Sequence, residues 1–191
     1  EKNQTKPFYL FIDEPELCLH PKGQTKLLKA ILEISKTKQV FLTTHSPYFL
    51  VTPYLSNVGL FIFRKDGVSN IVEDASLETM FPWSPTWGEI NFKAYKLPTV
   101  ELHNELYGYL QDLSGEDKLG KFDSWLITYG LPACKQWIMD NNTPKTINVT
   151  LQTFIRHHIH HPENKLNPIY TENELDQSIR EMINLLKLLP I

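Results

Sequence analysis

The sequence predicts an α/β segment with a mostly parallel sheet, followed by an all-α helical bundle. The first part is indicated by two apolar runs, residues 8–12 and 39–43, on either side of a helical pattern. The second part is indicated by apolar residues that recur at helical spacing after residue 98. Between them, residues 73–87 are acidic and contain two prolines, which interrupt any continuous element. We therefore expect an α/β domain over residues 1–75, a linker over 76–97 and a helical domain over 98–191.

The composition is that of a globular protein. Of its 191 residues, 41% are apolar, which is enough for sizeable cores. The formal net charge of −3 provides no broad attraction for nucleic acid, so any such binding must come from a local patch. No apolar run approaches the ~20 residues that cross a bilayer, and the two cysteines, Cys18 and Cys134, have no CxxC spacing. We expect a cytoplasmic protein that does not bind a membrane.

Residues 8–21, which read FYLFIDEPELCLHP, contain the first candidate site. Five apolar residues lead directly into Asp13 and Glu14. Acids at the carboxyl end of a buried parallel strand point into the crevice where such sheets bind ligands. Carboxylate oxygens suit Mg²⁺, and a carboxylate can also accept a hydrogen bond from a nucleophilic water. Taken alone, Asp-Glu-Pro is also a favourable start for a helix after a strand.

A second motif follows one helix later. Residues 23–37 have the apolar spacing of an amphipathic helix, and the strand at 39–43 runs into TTHSP, which contains His45. A right-handed crossover of this length makes the two strands parallel neighbours. We therefore expect His45 at the same edge of the sheet as Asp13 and Glu14. A lone histidine in such a loop can also cap the next helix without any chemistry.

Together, these motifs resemble the Walker B segment and the switch histidine of ATP-binding-cassette ATPases, particularly their SMC-like, RecF-like and OLD-like branch. The resemblance implies that Asp13 holds Mg²⁺ through a water and that Glu14 polarises the attacking water. It also implies that His45 contacts the γ-phosphate or that water, so that ATP and Mg²⁺ are the cofactors of this site. The sequence has no GxxxxGK[ST] loop, whose amides and lysine cradle phosphates. We therefore expect the carboxyl-terminal part of a longer ATPase, with that loop supplied by an N-terminal part.

The remaining predicted elements follow from periodicity and turn signals. A short helix is expected over residues 46–54, and strands over 58–64 and 68–72 form a hairpin that finishes the edge of the sheet. Thr171 begins the final helix with a capping box to Glu174. Between the hairpin and that helix, helices are predicted over 88–95, 98–113, 116–129, 134–139 and 147–161.

Four of the seven histidines lie within residues 157–161, directly after Arg156. Three interpretations stay open. His157 paired with His160 or His161 has a helical spacing that can ligate zinc, although Glu163 is the one acid nearby. Histidines at a polar helix end can also merely complement the helix dipole. The third interpretation is a nuclease site.

The nuclease interpretation depends on the spacing of Arg156 and His161, with a polar residue directly after the arginine. This pattern resembles the R-polar-xxx-H signature of HEPN domains, helical bundles of which many are metal-independent ribonucleases. By that resemblance His161 is the base that activates an RNA 2′-hydroxyl, and Arg156 holds the phosphate. His157 orients the pair or acts as the acid. The site needs no cofactor, and HEPN sites are usually completed across a dimer, so self-association is expected.

These resemblances imply an ATPase-coupled RNA endonuclease of bacterial antiphage or abortive-infection defence. It would act as a toxin on RNA, with tRNA as one candidate substrate and a second defence-system protein as a candidate partner. The alternative is a RecF/SMC-like DNA repair ATPase or a Septu-like defence ATPase, whose helical tail only mediates oligomer contacts or holds a separate nuclease subunit. An OLD-like nuclease is disfavoured because the chain contains no DxD pair.

Overall fold

The structure is a computed structural model that describes residues 8–50, 54, 58–75, 79–140 and 143–189. The chain divides into two compact units, with the boundary between Val58 and Gly59. The predicted domain limits, at 75/76 and 97/98, stay predictions beside this division. Within the described ranges, no helix is both long and apolar enough to cross a membrane.

The first unit has the predicted strand–helix–strand order. Strand β1 spans Tyr9–Asp13, helix α1 spans Pro21–Ser35 and strand β2 spans Gln39–Thr43. The strands pair in parallel, so the crossover prediction is confirmed. A 3-10 turn at Pro47–Phe49 follows; it occupies part of the predicted helix 46–54, of which residues 51–53 lie outside the described residues.

Helix α1 covers one face of this strand pair. His20 caps its amino end, with Nδ1 accepting a hydrogen bond from the Lys22 amide at 3.3 Å. Leu28 and Ile31 form the buried stripe of the helix. The small core of this unit is completed by side chains from the strands, the turn and the rest of the helix, namely Ile12, Leu27, Leu32, Val40, Leu42 and Phe49.

The other face of the strand pair is apolar and exposed. Phe11 is 73% exposed and stacks on Phe41, with their ring centroids 4.9 Å apart. Tyr9 lies on the same face as Phe11, because alternate residues of a strand share a face. The expectation that β1 is covered on both faces is therefore met on one face only within the described residues.

The predicted hairpin forms, but it is a sheet of its own. Strand β3 spans Phe61–Asp66 and strand β4 spans Ser69–Asp74, joined by a turn in which Gly67 has φ 60°. These antiparallel strands make a separate two-stranded sheet in the second unit, so the prediction that they finish the edge of the parallel sheet is wrong. Ile62 is buried on this hairpin, and strand β3 packs against helix α2, which spans Trp87–Tyr95.

The core of the second unit is built around helix α3, which spans Val100–Ser114. Leu102, Leu106 and Leu110 of this helix are fully buried. Helix α6, which spans Glu172–Leu188, opens with the predicted capping box, in which the Glu174 amide donates to Thr171 Oγ1 at 3.2 Å. The helices that pack on α3 besides α2 are α4 at Leu119–Thr128, α5 at Leu151–His160 and α6 at Glu172–Leu188.

An all-α bundle is not what the second unit forms. Residues 134–139 are predicted as a helix, yet Lys135–Met139 is strand β5 and pairs antiparallel with strand β6, Lys145–Val149. Helix α5 accordingly begins at Leu151 and not at residue 147. A run this short fits either a helix or a strand, and pairing with β6 satisfies its backbone groups. Both predictions were wrong because the partner strand decides the conformation. The unit is therefore mixed, with helices and small sheets.

Acid is expected to destabilise the protein through His103 of α3. This side chain is fully buried, with Nε2 3.1 Å from Ser178 Oγ of α6. Burial, and then the charge of Arg156, lowers the pKa of His103 from 6.5 to about 3. Below pH 6.5 the unfolded chain binds a proton that the folded protein excludes. His103 alone therefore lowers the free energy of unfolding by up to about 1.4 kcal/mol per pH unit as the pH drops from 6.5.

Urea unfolding at pH 7 and pH 5 measures this effect. His103→Gln keeps a donor for Ser178 but binds no proton, so it should reduce the acid-induced loss by about 2 kcal/mol. Burial raises the pKa of Glu105, whose contribution therefore runs in the opposite direction and is lost as the pH rises. It is common to both proteins and cancels in the comparison. An unchanged pH dependence in His103→Gln would contradict the prediction.

Candidate functional site

The carboxyl ends of β1 and β2 form an acidic edge. The strand register places Asp13 opposite Thr43. Thr43 Oγ1 donates a hydrogen bond to Asp13 Oδ1, and the Glu14 amide donates to the Thr43 carbonyl at 3.1 Å. The neighbouring strand thus fixes the Asp13 carboxylate at the place where a parallel sheet binds ligands.

Glu14 and His45 meet at this edge. His45 Nε2 lies 3.3 Å from Glu14 Oε1, and the side chains are 75% and 37% exposed respectively. Glu14 has φ 41°, in the left-handed region, which costs a residue with a Cβ about 1–2 kcal/mol. Such strain persists only where the surroundings impose it, and it concentrates at functional sites. The structure thus brings Asp13, Glu14 and His45 together, as the sequence predicts.

Glu16 is a functional candidate to which the sequence reasoning assigned no role. Its Oε1 accepts hydrogen bonds from Thr44 Oγ1 at 2.6 Å and from the His45 amide at 2.8 Å. Burial raises the pKa of Glu16, but the hydrogen bonds from Thr44 and from backbone amides outweigh it and leave the pKa below its usual range. The carboxylate therefore joins the two motifs and fixes the loop that carries His45. The available signal was the third acid of DEPE.

Removing this link should slow the ATP hydrolysis that the Walker B resemblance implies, without removing any predicted catalytic group. We expect Glu16→Ala to lower the ATP turnover of the full-length protein by about 10- to 100-fold, because a catalytic group displaced by about 1 Å loses that much. Glu16→Gln retains an oxygen for Thr44 and the His45 amide and should keep most of the activity. Equal turnover in Glu16→Ala and the wild type would show that the link has no role.

The acidic edge offers Mg²⁺ part of the ligand set that this ion needs. Asp13 and Glu14 supply hard carboxylate oxygens, and Mg²⁺ is usually held by one or two carboxylates, with waters and substrate phosphates completing its shell. Among the residues that the structure describes, no three His, Cys, Asp or Glu side chains converge to hold a metal ion. Asp13 remains the residue that we would expect to hold Mg²⁺.

The second candidate site lies at the carboxyl end of α5. Thr150 caps the other end of this helix, with its Oγ1 accepting from the Thr153 amide at 3.2 Å. Thr150 is itself held by Asp123 of α4, to which it donates from its hydroxyl at 2.7 Å and from its amide at 3.1 Å. At the far end the His161 amide closes the helix on the His157 carbonyl at 2.8 Å. The motif is therefore carried by a helix fixed at both ends.

Arg156 lies half-buried over an aromatic ring. Its guanidinium carbon is 5.5 Å from the centroid of Tyr107 on α3. The ion pairs found among the described residues do not include Arg156. A cation held by an aromatic ring keeps its charge and its N–H donors for an anionic ligand.

His157 has a neutral imidazole at neutral pH. Its ring stacks on Trp137 of β5 at 4.9 Å and lies 6.1 Å from the ring of His161. Burial, then the neighbouring His161 and Arg156, lowers the pKa of His157 to about 4. A neutral imidazole lacks the imidazolium proton and is a poor general acid at pH 7. Of the two roles predicted for His157, orientation is therefore the one that this environment favours.

His161 contacts an acid beyond the helix. Its Nδ1 lies 3.2 Å from Glu163 Oε1, and both side chains are largely exposed. When Nδ1–H donates to this carboxylate, Nε2 carries the lone pair and can act as a base. The Glu163 backbone amide, and next His161, hold the pKa of Glu163 below its usual range. The rings of His157 and His161 are thus neighbours, and the charge of Arg156 acts on His157, while their joint role as a site stays a prediction.

The other histidines of the cluster differ in their surroundings. His158 packs among Trp137, Phe154 and Tyr170, and burial lowers its pKa. This environment is that of a packing residue at the edge of the core. His160 is exposed at the last position of α5. The zinc interpretation gains no support, since the described side chains around the cluster include no third ligand.

The comparisons with known proteins concern the first site. Residues 1–50 match the family described as the AAA ATPase domain, and this range includes Asp13, Glu14 and His45. The comparisons with curated proteins and with solved structures found no match for the chain. Over residues 1–50 the chain is therefore similar to an AAA ATPase domain, which binds ATP and usually Mg²⁺.

Proposed function

We propose that the chain is the carboxyl-terminal part of an ATP hydrolase that controls an RNA endonuclease site. The observation that carries the ATPase part is the 3.3 Å contact between Glu14 and His45, at the strand ends where Asp13 is fixed. The family match over the same residues supports it. ATP is the substrate of this site, and its hydrolysis yields ADP and phosphate.

Each residue of the acidic edge has a proposed task. Glu14 accepts a proton from the attacking water as its oxygen approaches the terminal phosphorus. His45, beside Glu14, orients that water or donates to a phosphate oxygen. Asp13 holds the water shell of Mg²⁺, which would neutralise phosphate charge when bound. Glu16 keeps the His45 loop in place through the His45 amide.

The nuclease part is proposed from the environment of Arg156, a half-buried cation to which no protein carboxylate is paired among the described residues. Arg156 would bind the scissile phosphate. His161 Nε2 would take the proton of the RNA 2′-hydroxyl, whose oxygen attacks the phosphorus while the bond to the 5′-oxygen breaks. The His161 imidazolium can then return the proton to that oxygen. Neutral His157, stacked on Trp137, would orient His161.

The cellular setting that we propose is bacterial antiphage or abortive-infection defence, in the cytoplasm. It is supported by the resemblance of the two motifs to ATPases and HEPN nucleases of such systems. Self-association, an RNA substrate such as tRNA and a second defence protein are the proposed partners. The direct experiment is cleavage of total cellular RNA by the full-length protein, with ATP, without it and with a metal chelator. If cleavage does not require ATP, a nuclease site without a metal ion predicts that cleavage continues in the presence of the chelator.

The second candidate function is a RecF/SMC-like or Septu-like ATPase whose helical part only makes contacts. Ile169 and Leu188 favour it, because these apolar residues of the second unit are 82% and 75% exposed. Where such side chains adjoin one another, they form an apolar patch that another subunit can cover. ATP hydrolysis without any RNA cleavage by the full-length protein would support this function over the first.

A further inference from the structure

A row of hydrogen bonds beneath Arg156 has no part in the proposed chemistry. It begins at the buried carboxylate of Asp123, to which Thr150 Oγ1 donates at 2.7 Å. The hydroxyls of Thr150 and Thr153 are 3.3 Å apart, and Thr153 Oγ1 lies 3.0 Å from the hydroxyl of Tyr107. The row therefore joins α4, the first turn of α5 and α3, and it ends at the ring on which Arg156 lies.

The Tyr107 ring is held on several sides. The residue is 1% exposed, and its ring meets the edge of Phe122 at 4.9 Å between centroids. His103 lies nearly parallel to it, at 6.2 Å and an interplanar angle of 19°. Packing fixes the plane of the Tyr107 ring, and the contact of its hydroxyl with Thr153 fixes the direction in which the side chain points. A ring held in this way offers Arg156 one defined position.

A comparison with Arg180 shows what is particular to this arrangement. Arg180 also lies over an aromatic ring, 5.0 Å from the centroid of Phe92. Its Nε donates to Asp176 at 2.7 Å, so a carboxylate neutralises much of its charge. Arg156 is held by the ring without such a partner. An aromatic face positions a guanidinium and leaves its charge and donors for a ligand, whereas a carboxylate consumes both.

We infer that Tyr107 is a positioning residue that presents the Arg156 guanidinium to a phosphate of RNA, anchored by the row of hydrogen bonds to Asp123. This inference rests on the proposed nuclease site. Because the residue acts through Arg156, its loss should weaken the binding of the phosphate and should leave His157 and His161 in place. Asp123 and Thr150 contribute by holding the start of α5 and the Tyr107 hydroxyl in one arrangement.

The test measures binding of a 2′-O-methyl oligoribonucleotide, which the nuclease cannot cleave, by fluorescence anisotropy with the full-length protein. Tyr107→Leu removes the ring and should weaken binding by about 3- to 30-fold, the range expected for a partly desolvated cation–π contact. Tyr107→Phe keeps the ring and serves as the matched control, with a smaller loss. Arg156→Ala combined with Tyr107→Leu should bind no more weakly than Arg156→Ala alone. Tyr107→Met replaces Tyr107→Leu if that variant fails to fold by circular dichroism.

A second measurement separates this inference from the proposed function. The Nε proton of Arg156 should show an upfield ring-current shift in the NMR spectrum of the wild type and of Tyr107→Phe, and lose it in Tyr107→Leu. Absence of RNA cleavage by the wild type would remove the proposed nuclease and leave the binding test in force. Equal oligonucleotide binding by the wild type and a folded Tyr107→Leu protein would overturn the inference, as would wild-type binding no tighter than that of Arg156→Ala.

Discussion

Glu14→Gln is expected to reduce ATP turnover of the full-length protein by at least about 100-fold, the lower end of what a positioned general base contributes. The amide has the shape of the carboxylate but cannot accept the proton of the attacking water. The backbone at residue 14 already adopts a left-handed φ of 41°, and the substitution leaves it unchanged. Steady-state release of phosphate, measured at saturating ATP and Mg²⁺, gives the comparison.

Glu33→Gln is the matched control for that substitution. Glu33 also lies in the first unit, but it is exposed on α1 and pairs with Lys36. Its loss should leave turnover within about twofold, since exposed ion pairs contribute little. Nucleotide binding by Glu14→Gln should persist, because phosphate contacts come from elsewhere. Turnover in Glu14→Gln close to that of the wild type would remove Glu14 from the role of base.

Arg156→Ala and His161→Ala should each lower the rate of RNA cleavage by about 100-fold or more, while ATP hydrolysis stays measurable. A positioned base is worth about 10²- to 10⁴-fold, and loss of a phosphate-binding arginine removes charge stabilisation of similar size. The measurement is single-turnover cleavage of a labelled RNA by the full-length protein. Toxicity on expression in bacteria should fall in parallel with the rate.

The control for Arg156 is Arg180→Ala. Both arginines lie in the second unit over an aromatic ring, so the control removes a similar cation–π contact and a similar charge. Cleavage should be unchanged in Arg180→Ala, because Asp176 already occupies its guanidinium. If the two substitutions have the same effect on cleavage, general positive charge explains the result and Arg156 has no specific role. Unaltered cleavage in His161→Ala would refute the base assignment.

The local order of the first unit could be predicted from sequence because its signals are local. An apolar run, an amphipathic helix and a second apolar run of this length permit essentially one arrangement, a right-handed parallel crossover. Strand β5 could not be predicted in the same way. Its conformation depends on pairing with strand β6 and on burial of Trp137, and both are visible only in the folded chain. The hairpin β3–β4 shows the same limit. Its turn could be predicted from neighbouring residues, whereas its packing against α2 depends on residues that are distant in the sequence.

The two candidate sites differ in the same respect. Asp13, Glu14 and His45 belong to motifs with fixed spacing, so the sequence could place them at one edge. Glu16 carried a readable signal, an acid within the motif, although its task depends on the neighbouring strand. Tyr107 carried none. It lies on a different helix from Arg156, and only the packing of α3 against α5 brings the ring beneath the guanidinium.

The stacked rings of Phe11 and Phe41 affect how this protein behaves in solution. They lie on a two-stranded parallel sheet whose exposed face is apolar, and exposed apolar faces promote self-association in water. A fragment that contains only the first unit is expected to aggregate as its concentration rises. The aggregates would form through contacts between the exposed sheet faces and not through unfolding. Such aggregates should dissolve in mild detergent, because the contacts between the exposed faces are apolar.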